Sequence, residues 1–122
     1  MAYDTDNVFA RILRGEIPCD KVYEDDRVLA FRDIRPQAKT HVLVIPKAAY
    51  VSIDDFAERA PEADIAALIR AVGRVAAQLG LKETGYRVIV NHGPDSRQEV
   101  PHLHLHILGG QDLGRLICPS AE

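Results

Sequence analysis

The sequence predicts an α+β fold: a largely antiparallel five-stranded sheet with one long helix and one short one. Three observations carry this. Short segments rich in β-branched and apolar residues recur along the chain with turn residues between them. One long stretch alone repeats its apolar residues at the helical period. The strands come in runs instead of alternating with helices, the pattern of helices segregated on an antiparallel sheet.

Taken in order, Asp6 is placed to cap a short helix, Val8 to Leu13, whose Val8, Phe9, Ile12 and Leu13 recur at helical spacing. Gly15 ends it. Pro18 directs the chain into a first strand, Lys21 to Glu24, and Glu24-Asp25-Asp26 turns it into a second, Val28 to Arg32. After the Arg35-Pro36-Gln37 loop, His41 to Ile45 is an almost continuous apolar run stopped by Pro46, which suits a central strand buried on both faces. The long helix begins at Pro61, a residue favoured at the first helical position. Its stripe is Ile65, Leu68, Ile69, Val72, Val75, Ala76 and Leu79, and Gly80 stops it. Tyr86 to Val90 forms a fourth strand and Asn91 to Val100 a polar loop. Pro101 leads into the last strand, His102 to Leu108, closed by Gly109-Gly110. No period follows, and the tail is left unassigned.

A chain of 122 residues fits one domain with its own core, without repeats, linkers or a boundary. The net charge of −3 argues against broad nucleic-acid binding, which needs a basic stripe, but leaves room for a nucleotide ligand held by local donors. Cys19 and Cys118 lie in unrelated contexts and read as two free thiols in a reducing compartment. The polar, acidic segment before Val8 resembles no secretory or transit signal, and no apolar stretch is long enough to span a bilayer. The expected location is the cytoplasm, with no membrane partner.

The informative segment is His102-Leu103-His104-Leu105-His106-Ile107-Leu108. On a strand the three imidazoles share one face, about 7 Å apart, while Leu103, Leu105 and Ile107 anchor the other face in the core. A strand that merely presents histidines to solvent is a poor account, since three aligned imidazoles would titrate against one another near neutral pH. Metal binding is one alternative: His-x-His can put two nitrogens on a zinc, with Glu99 or His41 completing the site. The third histidine, about 14 Å from the first along a strand, is too far to join. Nucleophilic catalysis at phosphorus is the other. One imidazole attacks and becomes a phospho-histidine, and a neighbour donates to phosphate oxygens or to the leaving group.

These seven residues match the signature of the histidine-triad (HIT) family, and the resemblance extends further. Phe9 to Pro18 looks like the family's opening helix, Tyr23 to Asp26 and Ala30 to Ile34 resemble its next two blocks, and Thr40 to Lys47 follows in order. Asn91, Gly93, Gln98 and Gly109-Gly110 complete the likeness, which is closest to the Hint-type branch. The resemblance implies a HIT-like fold and a homodimeric hydrolase, paired through the long helix and a sheet edge. It would act at the α-phosphate of purine nucleotides of AMP type, on substrates such as adenosine phosphoramidate or lysyl-adenylate, without a cofactor. By the same likeness His104 is the nucleophile, and His106 contacts the phosphate and assists the leaving group. His102 and His41 then form the supporting network. Asp33 takes the ribose hydroxyls, Val8, Phe9, Ile12, Phe31, Ile34 and Leu43 line the purine slot, and Asn91 lies beside the phosphate.

Three departures from the family pattern matter. Asn7, Ala10 and Ala49 stand where some bacterial relatives carry zinc ligands, which argues against that structural metal. Glu99 replaces a serine that faces the phosphate in many eukaryotic relatives, so it should turn outward or meet a cationic leaving group. The tail from Gln111 to Glu122 lacks the tryptophan-containing ending of those relatives. Two rival functions stay open at this level: Fhit-type cleavage of dinucleoside polyphosphates, and a nucleotide-binding regulatory protein with weak catalysis.

Overall fold

The computed structural model describes residues 2–116. Helix α1 (Val8–Leu13) is followed by β1 (Lys21–Glu24), β2 (Val28–Arg32) and β3 (Thr40–Pro46). Then come α2 (Ile53–Arg59), α3 (Glu62–Gln78), β4 (Tyr86–Val90), a short 3-10 turn (Pro94–Ser96) and β5 (Leu105–Gly109). The five strands form one sheet in the order β1-β2-β3-β5-β4, and every neighbouring pair is antiparallel.

Sequence chemistry accounts for most boundaries. The α1 cap is Asn7, not Asp6: Asn7 immediately precedes the first helical residue, and its side chain accepts from the Ala10 N–H at 2.9 Å. Gly15 and Gly80 leave the first and third helices at φ +79° and +73°, the left-handed turn that suits glycine. Pro61 is the cap of α3, one residue outside the position predicted for it. The β1–β2 turn is closed by Asp25, whose carboxylate accepts from the N–H groups of Arg27 and Val28.

Two elements differ from the prediction. Helix α2 is additional; it carries little periodic apolar signal, burying only Phe56, with Asp54 and Asp55 in its first turn and Arg59 in its last. Strand β5 starts at Leu105 instead of His102, since the chain through His104 makes no ladder pairing. The alternation survives nonetheless, because Leu103, Leu105 and Ile107 all enter the same core.

That core lies between the sheet and α3. Val28, Ala30, Val42, Val44, Leu105 and Ile107 meet Leu68, Ala71, Val72, Val75 and Ala76. The predicted helical stripe is split: Ile65 and Ile69 point away from the sheet, at 36% and 62% exposure. On the sheet's other face, α1 lays Phe9 on Leu29, Phe31, Leu43 and Ile45. Strand β3 is buried on both faces, as its apolar run implies. Edge strand β4 leaves Tyr86, Val88, Ile89 and Val90 partly open. No helix among the described residues is long and apolar enough to cross a membrane. Cys19 is a half-buried free thiol, and Cys118 lies outside the described residues.

Candidate active site

Strand register places the histidines on the α1 face. His106 alternates with Leu105 and Ile107 of the α3-side core, and it sits directly opposite Leu43 on β3. His41 lies two residues from Leu43 and therefore on the same face, diagonal to His106. The ring centroids of His41 and His106 are 5.2 Å apart, and those of His104 and His106 are 5.1 Å apart. Phe9 packs edge-on against His104 at 4.9 Å, so α1 forms one wall of the site.

The hydrogen bonds assign a tautomer to every ring. The Gln37 N–H donates to His41 Nδ1 at 3.0 Å, so a neutral His41 carries its proton on Nε2. That nitrogen lies 2.9 Å from His106 Nδ1 and donates to it, which puts the His106 proton on Nε2. His104 Nδ1 is 2.7 Å from the His102 carbonyl, an acceptor only, so Nδ1 is protonated and Nε2 keeps its lone pair. His102 Nε2 donates to the Pro46 carbonyl at 2.8 Å, leaving its Nδ1 to accept from the Tyr3 hydroxyl at 2.5 Å. No described group hydrogen-bonds His104 Nε2 or His106 Nε2, and no buried polar side-chain atom is left unpartnered, so both nitrogens open outward. The site thus presents a lone pair and an N–H donor on adjacent rings.

Burial keeps these rings uncharged. It pushes His102 down to about 4; the Pro46 carbonyl opposes this and His104 adds to it. His106 is also pushed down to about 4, by burial first and then by its neighbours His104 and His41. His104 is lowered by burial too, against the hydrogen bond to His102 and the carboxylates of Asp33 and Glu99. His41 is lowered by burial, with Asp33 pulling the other way. The rings therefore do not titrate against one another near neutral pH, as aligned and exposed imidazoles would.

The purine-slot candidates separate into two groups. Phe9, Ile12, Phe31 and Leu43 join one apolar cluster, with Phe9 and Phe31 edge to face at 5.6 Å. Val8 and Ile34 stand outside it, Ile34 at 92% exposure. Half-buried Asp33 accepts from the Arg35 N–H at 2.8 Å and holds its second oxygen 3.5 Å from His41 Nε2. Asn91 follows Val90, the register partner of Leu105, and so lies level with His104 just beyond the ladder. Glu99 is exposed and lines a 540 Å³ cleft with Asp54, Glu58, His92 and Gln98.

Asp33, His41 and His106 offer ligand atoms within 4.8 Å of one another. The set does not suit a cation, because His41 Nε2 bears the proton shared with His106 and its Nδ1 is taken by Gln37. His102, a partner in the sequence-level metal alternative, has both nitrogens engaged. Residues that the sequence reading did not place in the site are Gln37, Pro46 and Tyr3. The first two act through backbone groups, which side-chain identity does not reveal. Tyr3 reaches the site across 99 positions from a segment whose only legible trait is polarity.

Residues 14–113 match the family model of the HIT domain. A 13.2 kDa HIT-like protein of Azospirillum brasilense is 63% identical over 115 residues, covering 94% of each chain. The purine nucleoside phosphoramidase of Escherichia coli is 43% identical over 118 residues, covering 97% of each. Among solved structures, a histidine triad protein from Clostridium difficile superposes with a TM-score of 0.82 at 45% identity, over 99% of this chain and 100% of that one. A HIT family hydrolase from Clostridium thermocellum gives 0.86 at 40% identity, over 93% and 97%.

Proposed function

The chain belongs to the HIT family, and from that premise we propose that it is a hydrolase of purine nucleoside phosphoramidates that works through a covalent nucleotidyl-histidine on His104. The observation that carries this is the pair of opposite tautomers: a lone pair on His104 Nε2 beside an N–H on His106 Nε2. In the first step His104 Nε2 forms a bond to the α-phosphorus as the phosphorus–nitrogen bond of the substrate breaks. The leaving amine takes its proton from a water held on the His106 Nε2–H, so no neutral ring is left an anion. In the second step the resulting hydroxide opens the intermediate, and His104 regains its lone pair. The sum is phosphoramidate plus water giving nucleoside monophosphate plus amine.

His41 holds the ring of His106 in the donating tautomer, and His102 does the same for the nucleophile through its carbonyl. Asp33, with acceptor capacity left beyond Arg35, takes the ribose hydroxyls. Phe9, Ile12, Phe31 and Leu43 receive the purine, with Val8 and Ile34 at the rim, and Asn91 contacts the phosphate. The name of the Escherichia coli relative supports the purine phosphoramidate class. Exposed Ile65 and Ile69 on α3, together with the β4 edge, support a homodimer. The protein is read as a one-domain cytoplasmic enzyme that needs no cofactor.

The test is steady-state hydrolysis of a fluorogenic adenosine phosphoramidate and of diadenosine triphosphate, without added metal, by wild type and His104→Ala. The phosphoramidate should be the better substrate, and the variant should lose several orders of magnitude in rate. Preference for the dinucleotide would replace this reading with the polyphosphate one. AMP binding without turnover of either compound would point to a regulatory protein.

A further inference from the structure

The nucleophile's backbone is not part of the sheet. The ladder begins at Leu105, so His102, Leu103 and His104 are held by other bonds. The Leu103 N–H donates to the Tyr50 carbonyl at 2.8 Å, and His102 Nε2 donates to Pro46 at 2.8 Å. The remaining tie comes from the chain's N-terminal segment. Tyr3 donates its hydroxyl proton to His102 Nδ1, and its ring stands edge-on to the imidazole at 5.6 Å and 70°.

This contact has consequences for chemistry two residues away. His102 is fully buried, and its Nε2 already donates to a carbonyl, so its neutral ring needs a donor at Nδ1. Among the described residues the Tyr3 hydroxyl is that donor. A buried acceptor without a partner is unfavourable, and the ring relieves it by turning or by admitting water. Either movement displaces the peptide of His102, whose carbonyl fixes the tautomer and aim of His104. The segment bearing Tyr3 is itself fastened: Asn7 N–H donates to the Asp4 carbonyl, and Arg14 to that of Thr5.

We propose that Tyr3 is a positioning residue for the nucleophile, acting through His102 to keep the His104 lone pair directed at phosphorus. The proposal rests on the reading of His104 as nucleophile, and its test has one readout that does not depend on the reaction. Full-length Tyr3→Phe and a protein with 3-fluorotyrosine at position 3, which keeps a hydroxyl donor, are compared with wild type. Phosphoramidate kinetics, AMP affinity and the ¹⁵N resonances of the histidine rings are measured on each. In Tyr3→Phe, kcat should fall by about tenfold or more, the scale of a misaimed reacting group, while KM and AMP affinity stay within about twofold. His102 Nδ1 should shift toward a free acceptor, and His104 should lose its single Nδ1–H tautomer. The fluorotyrosine protein should keep both wild-type rate and wild-type tautomers. Unchanged kcat, or unchanged His104 resonances in folded Tyr3→Phe, would overturn the proposal. If wild type turns over no phosphoramidate, the reaction reading fails, and the His104 resonances still decide whether Tyr3 positions that ring.

Discussion

His106 and His104 stand two positions apart and are held in different ways. His106 lies within β5, between Leu43 of β3 and Ile89 of β4, so the backbone ladders on both sides fix its height and direction. His104 precedes the ladder and is fixed through the His102 carbonyl, behind which stand Pro46 and Tyr3. The proposed hydrogen-bond donor thus shares the rigidity of a central strand, whereas the proposed nucleophile depends on a few bonds to distant parts of the chain. The two ends should respond differently to substitution.

The largest effect that separates them concerns the leaving group. On the proposed reading, His106→Ala removes the N–H that holds the proton-delivering water and leaves the His104 lone pair in place. Release of an alkylamine should slow by about 10²–10³-fold, the range for one lost preorganised donor. Release of a nitrophenolate, which departs without a proton, should slow far less. His104→Ala should slow both alike. Parallel losses for the two leaving groups in His106→Ala would break the distinction between donor and nucleophile.

The two ends were also unequally legible in the sequence. The β-branched and apolar runs marked β1, β2, β3 and β4, because strand alternation and turn residues are local signals. The histidine segment showed that imidazoles share a face, since that needs only a period of two. It did not show that the ladder stops at Leu105, because the residues before it keep the same pattern while taking their bonds from Pro46 and Tyr50. The tautomers were beyond reach for the same reason: they follow from backbone groups of Gln37, His102 and Pro46, which any residue type supplies. Helix α2 was missed because burying Phe56 alone leaves no stripe.

A second contrast is visible in acid. His102 and His106 are both pushed to about 4 by burial, below the 6.5 of a free imidazole. Between those values the unfolded chain binds protons that the folded chain refuses. Their contribution is therefore complete above pH 6.5 and declines as pH falls toward 4. For fully buried His102 the loss is roughly 3 kcal/mol, at about 1.4 kcal/mol per pH unit. Glu24, held at about 2 by Lys47 and then Lys21, adds to the decline only as pH falls through its free value of 4.5, at the acid end of this window. Urea unfolding at steps from pH 7 to 4 should show the decline, and His102→Phe should flatten part of it. A flat wild-type profile across that interval would mean that the rings are less buried than the fold implies.

The smallest effect concerns Glu99, which touches neither end directly. It is exposed, lines the cleft with Asp54 and Glu58, and acts on His104 only through its field, raising that ring's pKa. A carboxylate there works against an anionic phosphate and in favour of an amine that carries a second positive charge. Glu99→Ser should therefore reduce the preference for lysyl over uncharged amine leaving groups by a few-fold, about 1 kcal/mol or less for an exposed pair. The change should shrink with added salt, as screening requires. The same substitution removes one of two carboxylates that hold His104 up, so the acid limb of turnover should move slightly to lower pH. An unchanged ratio of the two substrates at low salt would remove Glu99 from leaving-group selection and leave it a solvated residue at the mouth of the cleft.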